Sequence, residues 1–144
     1  RLPGLIVHEM HHLIRFALYP FGPQTSVADY IVAEGTAESF AAALFGEDIV
    51  GYYVTDIDED GLNTAKTIIG DNLNTTGFDV IRSYIFGDTI ATQYELPRFG
   101  MPEYGGYATG YRVVHAYMQR TGKSIVETTF IPATEICAES GYFD

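Results

Sequence analysis

The sequence predicts a mainly α-helical fold with little or no sheet, from apolar residues recurring at spacings of three and four, Gly and Pro falling between such stretches, and helix-capping signatures at their starts. Val27, Ile31, Glu34, Glu38, Ala41 and Phe45 are the clearest periodic set, forming one stripe of a single long helix.

The elements follow in chain order. A first helix is expected from about Gly4 to Leu18, broken by Tyr19-Pro20-Phe21-Gly22-Pro23. A second starts at an N-cap on Thr25 or Ser26, runs to Phe45 and closes at Gly46. Glu47 to Asp60 reads as irregular or as a short strand around Tyr52 and Tyr53, followed by helices from Gly61 to Leu73 and from Phe78 to Phe86. Asp88 to Glu103, with Pro97, Gly100 and Pro102, reads as a long loop that beside an active site would act as a lid or substrate-binding element. A fifth helix spans Tyr104 to Thr121 and ends at Gly122. Ser124 and Glu127 form a capping-box signature, and Pro132 fits the first turn of a closing helix. No repeat or low-complexity tract is present.

At 144 residues and 47% hydrophobic, the chain is expected to fold as one domain over 1–144 with a sizeable core. It has no bilayer-length apolar run and no recognisable signal peptide; a soluble domain is expected, but the missing signal says little about compartment, and the cytoplasm is only slightly favoured. Arg1 stands only seven residues before the first histidine of interest, which reads as the C-terminal portion of a longer protein. A net charge of −11 argues against nucleic acid and anionic membranes as partners and favours cationic ones. The single Cys137 excludes an intrachain disulfide and reads as a small buried apolar residue. Asp56-Ile57-Asp58-Glu59-Asp60-Gly61 resembles a calcium loop in part, but the twelfth position is Thr67 where a carboxylate is required, so the run reads as a solvated turn.

The chemistry-bearing segment is His8-Glu9-Met10-His11-His12. On a helix, side chains four apart leave the same face with Cβ atoms about 6 Å apart, so His8 and His12 can present two neutral nitrogens to one cation. His8 and His11 are also a same-face pair, but only His8 and His12 bracket Glu9 in the H-E-x-x-H order, where the carboxylate serves a bound water as general base. Catalytic Zn²⁺ takes three protein ligands and leaves one position to water, so a third ligand must come from elsewhere. Glu34 and Glu38 lie within the apolar stripe of the second helix, where unpaired carboxylates would be costly to bury. A zinc on the first helix satisfies Glu34; Glu38, one turn later, can accept the free ring N–H of His8 or His12 and fix its tautomer. Gly35, flanked by Ala33 and Ala37, implies a close helix–helix approach.

A donor for a developing oxyanion must come from later in the chain. Tyr107, Tyr111 and His115 are successively four apart on the fifth helix, with Arg112 on the adjacent row. Tyr107 and Tyr111 are favoured, His115 next, against the alternative that tyrosines in a chain with eleven of them simply pack.

H-E-x-H-H at His8 to His12, E-G-x-A-E within Ala33 to Glu38, G-Y-x-x-G-Y at Gly106-Tyr107-Ala108-Thr109-Gly110-Tyr111 and the closing Pro132 to Phe143 stretch together resemble the DUF2268 family of predicted zinc-dependent proteases over nearly the whole chain. The resemblance implies a zincin-like, specifically gluzincin-like, metallopeptidase in which Glu34 corresponds to the third zinc ligand. It implies a peptide or protein substrate but no particular sequence, and an upstream sheet-containing portion that contributes to the substrate groove. Leu13-Ile14-Arg15-Phe16-Ala17-Leu18 lacks the glycine and third histidine of the metzincin pattern. Two readings from other classes remain open: a metal-binding sensor or structural domain without catalysis, and a metal-free helical interaction domain using the tyrosine-rich surface.

Overall fold

The computed structural model describes residues 2–144. These form helices α1 (Leu2–Leu18), α2 (Val27–Phe45), α3 (Tyr52–Thr55), α4 (Glu59–Gly70), α5 (Phe78–Phe86), α6 (Asp88–Gln93), α7 (Gly105–Thr121), α8 (Ile125–Thr129) and α9 (Ala133–Ser140), with a 3₁₀ turn at Glu47–Ile49. Among the described residues the only β pairing is an isolated antiparallel bridge between Ser26 and Thr76, so the mainly α fold expected from sequence is the fold observed. No helix is long and apolar enough to cross a membrane.

α2 is the axis of the molecule. Ser26 caps it: its hydroxyl accepts from the Asp29 backbone N–H, while Asp29 Oδ2 accepts from the Ser26 N–H at 2.9 Å, a reciprocal pair that ties down two donors a helix start leaves free. Its apolar residues Val27, Ile31 and Val32 meet Ile69 of α4, Ile85 of α5, and Val113 and Tyr117 of α7 in the main core. α7 crosses α2 at two glycines. A methyl group at Gly35 would overlap the Gly110 carbonyl, and one at Gly110 would overlap the Ile31 carbonyl, so the two backbones touch where only glycine fits.

α1 lies on another side of α2 with the usual polarity inverted. Its buried positions are Gly4, His8, His11 and Arg15, whereas Leu2, Leu5, Ile6, Met10, Leu13 and Ile14 are exposed. Several of these polar side chains have hydrogen-bond partners. Arg15 Nη1 donates to the carbonyls of Thr129 at 2.8 Å and Ile131 at 2.7 Å, and Tyr19 donates to the Phe130 carbonyl at 2.7 Å. The α8–α9 junction thus anchors α1 through hydrogen bonds rather than apolar packing.

Three local expectations are corrected. Tyr52 and Tyr53 lie in a helical turn, not a strand: with no partner strand among the described residues, the backbone closes on itself through Val54 N–H to Gly51 C=O and Asp56 N–H to Tyr52 C=O, each 2.9 Å. α4 starts before Gly61, because Asp58 caps it by accepting from the Gly61 N–H at 2.7 Å. The segment read as one loop from Asp88 begins with α6, and the Asp88 carboxylate accepts from the N–H groups of Phe99 at 3.2 Å and Gly100 at 3.1 Å, folding the remainder back. Ser124 and Glu127 form the expected capping box, Pro132 stands one residue ahead of α9 as its cap, and Cys137 is buried, its thiol pKa pushed up to about 12 by that burial.

Candidate metal centre

The site lies where α1 and α2 face each other. His8 and His12, one turn apart on α1, both direct Nε2 at the same atom, Glu34 Oε2, each at 3.1 Å. His8 and Glu34 are buried and His12 is half-buried. Glu9 is exposed at the mouth, with a carboxylate oxygen within 4.8 Å of the ligand nitrogens of His8 and His12. His11 turns elsewhere. Its ring packs on Phe40, and its Nε2 lies 2.9 Å from Thr129 Oγ1. That hydroxyl donates to the Ile125 carbonyl at 2.8 Å, so His11 Nε2 must carry the proton and donate.

Two imidazole nitrogens and one carboxylate oxygen are a donor set suited to zinc. Each histidine Nε2 stands 3.1 Å from Glu34 Oε2, whereas the group whose ligand atoms all lie within 4.8 Å of one another is His8, Glu9 and His12, so both carboxylates border the space between the two imidazoles. In the metal-free protein the arrangement is electrostatically tense. Burial works against a charged His8, but the carboxylates of Glu34 and Glu38 outweigh it and raise its pKa to about 9. Burial likewise opposes ionisation of Glu34, and the two histidines override that and hold its pKa below the usual carboxylate range.

Behind His8 stands Glu38, 3% exposed, with Oε1 3.3 Å from His8 Nδ1, where it faces any proton carried on that nitrogen. Tyr53 donates its hydroxyl to the same Oε1, and the Gly51 N–H donates to Oε2 at 3.4 Å. The Tyr53 phenol is held well above its ordinary pKa by burial and then by Glu38, so it stays a donor.

The three candidates on α7 separate. Tyr107 is half-buried against the Tyr53 ring, 4.9 Å between centroids, and burial followed by the negative charge of Glu34 raises its pKa far above the usual value. Tyr111 donates its hydroxyl to Glu47 at 2.7 Å, away from the histidines, and stacks on His115 with ring centroids 4.2 Å apart. His115 is a further turn along, about 12 Å down the helix axis from Tyr107, with a pKa lowered by burial. Tyr107 alone of the three lies close enough to Glu34 to feel its charge first after burial.

Sequence reading missed two tyrosines here. Tyr30 precedes Glu34 by one turn of α2, and burial and Glu34 push its pKa up to about 12; its i, i+4 spacing was the available signal. Tyr53 gave none, since its contact with Glu38 depends on how the segment after α2 folds back. Tyr30 also borders a cavity of about 650 Å³ that is lined by Phe86, Ile90, Tyr94, Leu96 and Tyr104, so the segment expected to form a lid lines a space beginning one turn from the candidate ligand.

The chain is 38% identical over 144 residues to the Uncharacterized protein YjfC of Bacillus subtilis (strain 168), covering 99% of this chain and 48% of that protein. It therefore spans about half the length of the curated relative it matches. No solved structure matches the chain. The family model described as Predicted Zn-dependent protease (DUF2268) matches residues 1–138, and the chain belongs to that family.

Proposed function

We propose that this chain is the catalytic domain of a zinc-dependent peptidase, with His8, His12 and Glu34 as metal ligands and Glu9 as general base. The observation that supports this most is the convergence of His8 Nε2 and His12 Nε2 on Glu34 Oε2 at 3.1 Å each, with Glu9 beside them at an open mouth. Zinc held by His8, His12 and Glu34 would supply Lewis acidity, which lowers the pKa of water at such a site from about 15.7 to about 7. Glu9, exposed and next to the ligand nitrogens, takes the proton of the attacking water and returns it to the leaving amine. Glu38 holds the His8 ring from its Nδ1 side, leaving Nε2 for the metal. Tyr107, kept protonated, donates to the oxyanion of the tetrahedral intermediate. Tyr111, engaged with Glu47, and His115, farther along α7, are second and third choices for that role. The aromatic cavity beyond Tyr30 receives part of the peptide.

The test is elemental mass spectrometry of protein purified without chelator, together with its Glu34→Ala and Glu9→Gln variants and a peptide-library cleavage assay. About one zinc per chain is expected in the parent and in Glu9→Gln, and none in Glu34→Ala. Cleavage is expected in the parent alone, with a loss on the order of 10²–10⁴-fold in Glu9→Gln. Zinc without cleavage by the parent would leave a metal-binding domain lacking catalysis. No zinc in any of them, even after its addition, would leave a metal-free helical domain.

A further inference from the structure

The contacts behind His8 extend one residue beyond its carboxylate partner. Glu38 is buried on α2 and cannot turn to water to satisfy its oxygens. Among the described residues Oε2 accepts from the Gly51 N–H at 3.4 Å, and the Tyr53 hydroxyl donates to Oε1, the oxygen that also faces His8 Nδ1. Gly51 and Tyr53 belong to one short segment, the turn into α3, which is fastened to the core by Val54 packing with Ala42 and Val50. The Tyr53 ring meets His8 edge-on with centroids 6.5 Å apart, so its hydroxyl serves Glu38 on the Nδ1 side of the imidazole, opposite the Nε2 that faces Glu34.

We propose that Tyr53 is a positioning residue for the metal centre: by holding Glu38 Oε1 against His8 Nδ1 it fixes the proton on Nδ1 and presents the Nε2 lone pair to the metal. This rests on the reading of His8 as a zinc ligand. Without the phenol hydroxyl, Glu38 keeps one long backbone hydrogen bond and the His8 contact, so it can rotate, and the His8 ring loses the partner that selects its tautomer. The Tyr53 hydroxyl donates to Glu38 and makes no hydrogen bond to His8, His12 or Glu34, so its effect on the ligand passes chiefly through Glu38.

The experiment compares Zn²⁺ affinity, by competition with a chromophoric chelator, for the parent, Tyr53→Phe, Glu38→Ala and the double variant. Tyr53→Phe removes only the hydroxyl and is expected to weaken zinc about 10-fold, within the range usual for partners of metal-bound histidines. Because Tyr53 acts through Glu38, it should add no further loss in the Glu38→Ala background. The His8 Nδ1–H proton resonance of the zinc-loaded parent, protected from exchange, should broaden in Tyr53→Phe. Val54→Ala, which loosens α3 without touching the hydroxyl, should lower the melting temperature and leave zinc affinity unchanged. Unaltered affinity and an unaltered Nδ1–H resonance in Tyr53→Phe, with the parent binding zinc, would overturn this inference alone. So would an equal affinity loss in Val54→Ala, which would assign the effect to α3 packing. A parent that binds no zinc would overturn both this inference and the function on which it rests.

Discussion

His8, His11 and His12 share one helical turn of sequence yet are set to three tasks by what lies opposite them. His8 faces two carboxylates, His12 shares one of these, and His11 faces a hydroxyl and a phenyl ring. Burial, then the neighbouring His12, Arg15 and His8, lowers the His11 pKa from 6.5 to about 4. The sign of the resulting pH dependence follows directly. Unfolded, His11 takes up a proton as the pH drops below about 6.5, whereas folded it resists until about 4, so its contribution to stability is complete above 6.5 and declines as the pH falls toward 4. Between pH 7 and pH 5 the parent should lose roughly 2 kcal/mol more stability than His11→Gln, which has no group to titrate there. Urea denaturation of both proteins at the two pH values measures it, with His8 cancelling because it is common to both. Equal losses would mean that His11 is charged or solvated in the folded state.

Much of the candidate site was legible at the level of elements, because its signals are local. The cap expected on Thr25 or Ser26 is Ser26, and Glu34 and Glu38 stand out as carboxylates within an apolar stripe. What was not legible depends on contacts far apart in sequence. Tyr53 reaches Glu38 only because the 3₁₀ turn and α3 fold back over α2, and periodicity in four residues cannot tell such a turn from a strand. For α1 the face carrying His8 and His12 was read correctly as the inward one, but hydrophobic patterning alone would have buried the opposite side, since Leu2, Ile6, Met10 and Leu13 are the exposed residues. Gly35 announced a close approach without naming its partner, which is Gly110. That contact sets the depth at which α7 sits on α2, and hence the position of Tyr107 relative to Glu34. Gly110→Ala should force the helices apart at a cost of about 1–3 kcal/mol in stability. Because the strain falls one turn from Tyr107, cleavage should drop more than zinc affinity does. Thermal denaturation, chelator competition and peptide cleavage on this one variant test the point; an unchanged melting temperature would mean that the crossing accommodates a methyl group without strain.

Across the molecule, the core built by α2, α4, α5, α7 and α9 is apolar and continuous, whereas α1 attaches to it through a polar face. The exposed Leu2, Ile6, Met10 and Leu13 add nothing to that attachment, and net hydrogen-bond contributions of about 1 kcal/mol each at Arg15, His11 and Tyr19 hold mainly its C-terminal half. The N-terminal half is fastened chiefly by His8, with Gly4 packed against Ile49. A metal joining His8 and His12 to Glu34 would thus be the main link between that half of α1 and the core, and its binding energy would appear as stability of this junction. With zinc at a thousandfold excess over its dissociation constant the stabilisation is about 4 kcal/mol, which for a domain of this size raises the melting temperature by on the order of 10 °C. Chelation should reverse that shift without abolishing the fold, since the apolar core does not involve the site. Hydrogen exchange resolves where the change occurs: on metal removal, amides of the first two turns of α1 and of the Gly51–Thr55 segment should lose protection, while those of α4, α5 and α9 keep theirs. Uniform loss of protection across all helices would instead make the metal part of the global fold, and no loss anywhere would mean that the polar face of α1 holds by itself.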